Sequence, residues 1–302
     1  MKKIIVYNNW GDTPKHWIKR ISKQSPTGSR WGDIQLVSNV EESDIVIICD
    51  GVSNMTKKEF ETFLKKDKIF LQREPSHVQG PIKINKSKVL KAITYENHYP
   101  YVDWYVDMDY NKLSNIKIDD RFKDKKNPIC VISSKAFTDG QRKRLSFLKK
   151  IQQMVEIDFY GQIHISKMFN NYCGPIEFGV NADGLYNPAG AYPYRDKSRI
   201  FEYKLSISLE NGSQKNFFTR TTEDLLCWAL PIYWGCPNIE DFFPKHSYRY
   251  IDIEQETFTK EEIEYLLRPP EQQELYALAE ARDLILNKYN FFPYISNILK
   301  DL

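Results

Sequence analysis

The chain has 302 residues, enough for two domains with hydrophobic cores of their own. Its 41% hydrophobic and 27% charged residues describe a globular protein, and a net charge of +3 with Lys and Glu interspersed excludes a nucleic-acid-binding stripe. No run approaches the length of a membrane span, and the opening MKKIIVYNNWGD holds too few apolar residues for a secretory signal. Peripheral docking on a membrane stays compatible with this composition. The five cysteines (Cys49, Cys130, Cys173, Cys227 and Cys236) form no C-x-x-C and lie mostly in or beside apolar runs. That usage fits reduced thiols and a cytoplasmic protein.

Lys3–Tyr7 (KIIVY) reads as a buried first strand, followed by a polar turn over Asn8–Thr13 and a helix from Pro14. Asp44–Cys49 (DIVIIC) and Asp67–Leu71 (DKIFL) are two more buried strands, with a helix over Lys57–Lys66 between them. Strands alternating with helices imply a parallel sheet covered by helices. Tyr110–Asn127, polar and stopped by Pro128, reads as a linker. A second series begins with a strand over Pro128–Ser133 (PICVIS), a helix over Asp139–Val155 and a strand over Glu156–Tyr160 closed by Gly161. The passage Gly174–Lys197 is a loop long enough to be functional. Tyr203–Leu209 and Ile232–Trp234 are strands on either side of a short helix, and Lys260–Leu302 is helical with a break at Pro269-Pro270.

The fold class predicted is α/β, with two Rossmann-like domains over residues 1–125 and 126–285 and a ligand cleft between them. Residues 286–302 form a terminal helix expected to pack back on the first domain. No G-x-G-x-x-G follows a strand and no Walker sequence occurs, which disfavours an NAD-dependent oxidoreductase and a P-loop nucleotidase.

Four places carry candidate chemistry. Glu74 follows the strand DKIFL at the carboxyl edge of a parallel sheet, where ligands bind in open α/β folds. A carboxylate there can act as a general base or simply pair with Arg73 or a nearby lysine. Arg144 lies in GQRKRLSFLKKI, where Leu145, Leu148 and Ile151 form the buried helix face. Its guanidinium either meets a diphosphate or belongs to an exposed basic first turn. Arg220 stands at the start of the helix FFTRTTEDLL, where a cation is unfavourable unless it faces an anion. Thr219 or Thr222 is expected to cap that helix, while Glu223 serves either as a dipole partner or as a ribose ligand. The D-x-D at Asp107–Asp109 precedes the linker rather than a nucleotide-binding unit, and the histidines show no ligand spacing, so no metal site is expected.

YKLSISLEN followed by ALPIYWGCPNIEDFFPKHSY resembles the donor-binding signature of the α1,3/4-fucosyltransferases. IIVYNNWGD, ESDIVI and KIFLQREP are similar to the family's first strands in bacterial members, and R-x-x-F-x-x-x-L is matched by Arg144, Phe147 and Ile151. The resemblance implies a GT-B fold with an amino-terminal acceptor-binding domain and a carboxy-terminal nucleotide-sugar-binding domain. It implies inverting transfer of fucose from GDP-fucose to a glycan acceptor, with no obligatory metal or other cofactor. Glu74 falls on the general base, Arg144 on the pyrophosphate-contacting arginine and Asn211 on the asparagine of the F-E-N element. By position alone Asn9, Trp10 and His77 are candidates for the acceptor side, although His77, three residues past Glu74, reads first as a surface residue. The family's Thr-Glu-Lys becomes Phe218-Thr219-Arg220: arginine keeps the cation, but Thr219 lacks the glutamate's charge. A different nucleotide-sugar donor, or a non-catalytic nucleotide- or carbohydrate-binding descendant, stays open for that reason.

Overall fold

The computed structural model describes residues 1–9, 11–52, 55–73, 89–94, 96, 101–118, 126–132, 136–161, 163–175 and 197–302. Among them, two six-stranded sheets divide the chain. The first is built from β1 (Lys2–Asn8), β2 (Arg30–Trp31), β3 (Ile34–Leu36), β4 (Ile45–Cys49), β5 (Asp67–Leu71) and β6 (Val89–Ile93), in the order β2-β3-β1-β4-β5-β6. Every pairing is parallel except β2 with β3, which is antiparallel at the edge. The central strands are continuous apolar runs because helices cover both faces of the sheet. On one face α1 (Pro14–Ile21) packs Trp17 and Ile21 against Ile4, Val6 and Ile47. On the other, α2 (Lys57–Lys65) packs Phe63 against Ile5, Tyr7 and Phe70. Thr56 and Glu59 close a capping box that fixes where α2 begins.

The stretch expected as a linker instead folds in part. Asp109 accepts a hydrogen bond from Lys112 N at 2.8 Å and starts α3 (Tyr110–Asn115), whose Leu113 is buried in the core of the second region. One well-placed apolar residue and a capping carboxylate outweigh the polar composition. Residues 119–125 lie outside the described part.

The second sheet contains β7 (Ile129–Ile132), β8 (Asp158–Gly161), β9 (Tyr172–Gly174), β10 (Leu205–Leu209), β11 (Leu230–Trp234) and β12 (Arg249–Tyr250), in the order β12-β11-β10-β7-β8-β9, all parallel. Its two faces are covered by α4 (Asp139–Ile151) and by α5 (Thr221–Leu226) with α7 (Gln272–Leu284), while α6 (Lys260–Leu266) precedes the Pro269-Pro270 break. The helix expected over Asp139–Val155 ends four residues early, at Ile151, because the chain must turn into β8. A π turn over Ile285–Tyr289 leads to α8 (Phe291–Lys300), capped by Asn290, whose side chain accepts from Phe292 N at 2.9 Å.

Helix α8 does not stay with the second sheet. Phe291, Phe292, Ile295 and Ile298 pack with Trp17, Ile21 and Tyr101 in the core of the first. Phe291 sits edge-on to Trp17 at 4.6 Å and to Tyr101 at 5.0 Å between ring centroids. The two sheet-and-helix regions have the layout of a GT-B fold. Among the described residues no helix is long and apolar enough to cross a membrane.

Candidate active site

In the second sheet β10 ends at Leu209, and Glu210, Asn211 and Gly212 turn out of its carboxyl edge. The starts of α4 and α5 meet this turn. Thr138 caps α4 through Gln141 N and also donates its hydroxyl to Asn211 O at 3.1 Å. Gly140, in the first turn of α4, lets the two backbones touch: a Cβ on it would lie 2.2 Å from Asn211 O and 2.6 Å from Gly212 Cα. The close approach therefore requires glycine.

Three of the residues singled out in the sequence converge here. Arg144 Nη1 donates to Asn211 Oδ1 at 2.9 Å, and Arg220 Nη2 donates to the same oxygen at 3.1 Å. Arg144 is only 1% exposed, so the reading as an exposed basic turn is overturned. It also reaches Leu209 O at 3.3 Å. Two guanidinium groups thus share one neutral oxygen. Burial, and then the neighbouring Arg220, push the Arg144 guanidinium well below the ordinary arginine range. Among the described residues Arg144 Nε and Nη2 and Arg220 Nε have no hydrogen-bond acceptor. Buried donors left open beside a like charge make a site suited to an anion.

The cap of α5 differs from the expectation. Neither Thr219 nor Thr222 caps it: Arg220 occupies the N-cap position without a side-chain cap. Glu210 supplies the acceptor instead. Its Oε1 accepts from Thr219 N at 2.7 Å and Arg220 N at 2.8 Å, and its Oε2 accepts from the Thr219 hydroxyl at 3.0 Å. Burial raises the Glu210 carboxyl above its ordinary range, against the pull of Arg220 and these hydrogen bonds. Sequence reasoning missed Glu210, although the residue stands beside Asn211 in the L-E-N triplet, because a cap was sought within the helix's own first turn.

Glu223 is buried, with Oε1 accepting from Tyr105 N at 3.1 Å and Oε2 paired with Lys197 Nζ at 2.8 Å. It therefore joins the 101–106 segment to the second region. Asp224, one residue on, faces a small polar cavity that Ser206, Ser208, Lys197 and Arg220 also line. Burial pushes its carboxyl up to about 7, although Ser208, Ser206 and Lys197 lower it.

On the first sheet Asn9 is exposed just past β1 and lies beside Gly51, which follows β4. Trp10, Glu74 and His77 lie outside the described residues. Arg73, immediately before Glu74, has its N–H bound by Asp50 at 2.7 Å and its guanidinium 4.5 Å from the Tyr101 ring centroid. Asp103 pairs with Arg20 and lies 3.9 Å from Arg73. Burial opposes its ionisation, yet Arg20 and Arg73 hold its carboxyl below the usual range. The D-x-D has a structural use, since Asp109 caps α3.

An α1,3-fucosyltransferase crystal structure is similar to this chain at 16% identity, covering 97% of this chain and 93% of that one, with a TM-score of 0.48. Anabaena Alr3699/HepE in complex with UDP is similar at 10% identity and full coverage of both chains, with a TM-score of 0.49. A glycosyltransferase from Rickettsia africae is similar at 10% identity over 99% of this chain and 97% of that one, with a TM-score of 0.50; that likeness bears on the fold alone. No curated protein matches the chain. Residues 122–278 match glycosyltransferase family 10 (fucosyltransferase), C-terminal part, a span just over half of the 302 residues. The chain carrying the Arg144–Asn211–Arg220 cluster therefore belongs to the family 10 glycosyltransferases, enzymes of the fucosyltransferase type.

Proposed function

We propose that this glycosyltransferase moves fucose from GDP-fucose to a hydroxyl of a glycan acceptor, inverting the anomeric carbon. The observation that carries the reading is the buried Arg144 and half-buried Arg220 meeting on Asn211 Oδ1, with three of their nitrogens left without an acceptor among the described residues. A nucleoside diphosphate supplies the acceptors those donors lack, and forked guanidinium groups suit its oxygens. In the proposed reaction Glu74 takes the proton from the acceptor hydroxyl as the oxygen bonds to the anomeric carbon. The bond from that carbon to the diphosphate breaks, and the electron pair leaves on GDP, whose new charge Arg144 and Arg220 stabilise. Glu74 enters through the family wording KIFLQREP and its place just beyond β5. Asn9, Trp10 and His77 line the acceptor side in this reading, and the buried free thiols of Cys49, Cys130, Cys227 and Cys236 favour a cytoplasmic setting.

A second reading keeps the chemistry and changes the donor sugar or nucleotide. It is favoured by Thr219, which stands where the family motif has a glutamate. Melting temperatures with GDP, UDP and CMP separate the two, because a ligand that binds only the folded state raises apparent stability. The first reading expects GDP to stabilise and UDP to leave the transition unchanged; the reverse result overturns it in favour of the second.

A further inference from the structure

We propose that Glu210 is a positioning residue for donor binding, holding the Thr219-Arg220 backbone so that the Arg220 guanidinium folds back over Asn211 toward Arg144. The inference rests on the reading of Arg144 and Arg220 as the diphosphate site. Glu210 is fully buried, and three donors from two consecutive residues converge on its two oxygens. A buried carboxylate is expensive unless hydrogen bonds and cations compensate it, and this one meets both conditions. Its charge lies beside Arg220, and it also offsets the repulsion felt by Arg144.

The room for Glu210 is built into the neighbouring strand end. A Cβ on Gly235 would lie 2.3 Å from Glu210 Cγ and 2.8 Å from the Tyr233 hydroxyl, which itself accepts from Cys236 N at 2.9 Å. Glu210 and Asn211 are adjacent at the end of β10, so one dipeptide fixes Arg220 twice: Glu210 at the backbone, Asn211 at the guanidinium. Thr219 turns its hydroxyl inward to Glu210, completing that grip.

The test is a double-mutant cycle in the full chain, read by calorimetric titration with GDP and by the melting temperature without ligand. Glu210→Gln keeps the size and removes the charge; it should weaken GDP binding by about ten- to a hundredfold, the scale of a misplaced binding group. The loss should largely vanish in an Arg220→Ala background, because Glu210 acts through Arg220. Thr219→Val, which deletes only the hydroxyl, should weaken GDP about three- to tenfold and serves if Glu210→Gln does not fold. A lower melting temperature with unchanged GDP affinity in the folded Glu210 or Thr219 variant, or an equal loss with and without Arg220, would make Glu210 merely structural and overturn the proposal. Unchanged affinity in Arg220→Ala alone would sink the diphosphate reading as well.

Discussion

Two guanidinium groups on one amide oxygen repel each other, and removal from water strengthens that repulsion. Arg144 and Arg220 are held in this arrangement with Glu210 close by, and in the proposed function a diphosphate docks between them. Arg144, Asn211 and Arg220 were legible in the sequence: their spacing around strand and helix starts, and the family wording, single them out. Glu210 was not, because its partners are nine and ten residues away across a turn whose geometry no local pattern encodes. Glu74→Gln should lower turnover by about 10²–10⁴-fold, the range for a positioned base, with GDP affinity nearly intact by calorimetry; unchanged turnover removes it from the mechanism. Asp224 offers a pH test. Its carboxyl titrates at about 7 in the folded chain, against about 3.9 when unfolded. The folded state therefore holds an extra proton between those values, and stability from this group, present at low pH, is lost as pH rises from about 4 to about 7. Asp224→Asn is neutral throughout. Its melting temperature relative to the parent should rise from pH 5 to pH 8, on the order of 5 °C; a flat difference would mean that Asp224 titrates normally.

At the scale of elements, the central strands announce themselves as unbroken apolar runs, and Thr56, Thr138 and Thr259 mark true helix starts. The edge strands β2, β9 and β12 are two or three residues long, too short for any periodicity to register. Helix α3 was hidden by its polar composition. The contact between α4 and the β10 turn depends on a single missing side chain. Gly140→Ala would drive a methyl group into Asn211 O and Gly212 Cα. Overpacking of this kind costs about 1–3 kcal/mol. Denaturant titration should show that loss together with weaker GDP binding, since the same turn carries Asn211. Loss of stability with full GDP affinity would separate the turn from the site.

At the scale of the whole molecule, the two sheets are bound together by elements that cross. The 101–106 segment gives Asp103 to Arg20 and Arg73 of the first region and Tyr105 N to Glu223 of the second. Helix α8 returns to the first core, and Val102 N reaches Tyr289 O at 2.8 Å on the way. Sequence patterning identifies α8 as helical, and its expected return to the first region has no signal in the helix's own residues, because either apolar core would accept its face. A fragment of residues 1–125 should lack a cooperative melt by circular dichroism and gain one when a peptide of residues 286–302 is added. In the full chain Phe291→Ala should cost about 3–5 kcal/mol, the range for a buried phenylalanine. A fragment that melts cooperatively by itself would show that α8 is dispensable there.

The returning helix also sets a timetable for biosynthesis. Chains usually complete their amino-terminal unit while the rest is still being made. Here the layer over α1 is missing until Phe291–Leu299 has been synthesised, more than 200 residues after β5. The later half also needs α7 and Tyr289, made just before Phe291, so the earlier half waits almost to the end of synthesis with apolar surface open to holdase chaperones.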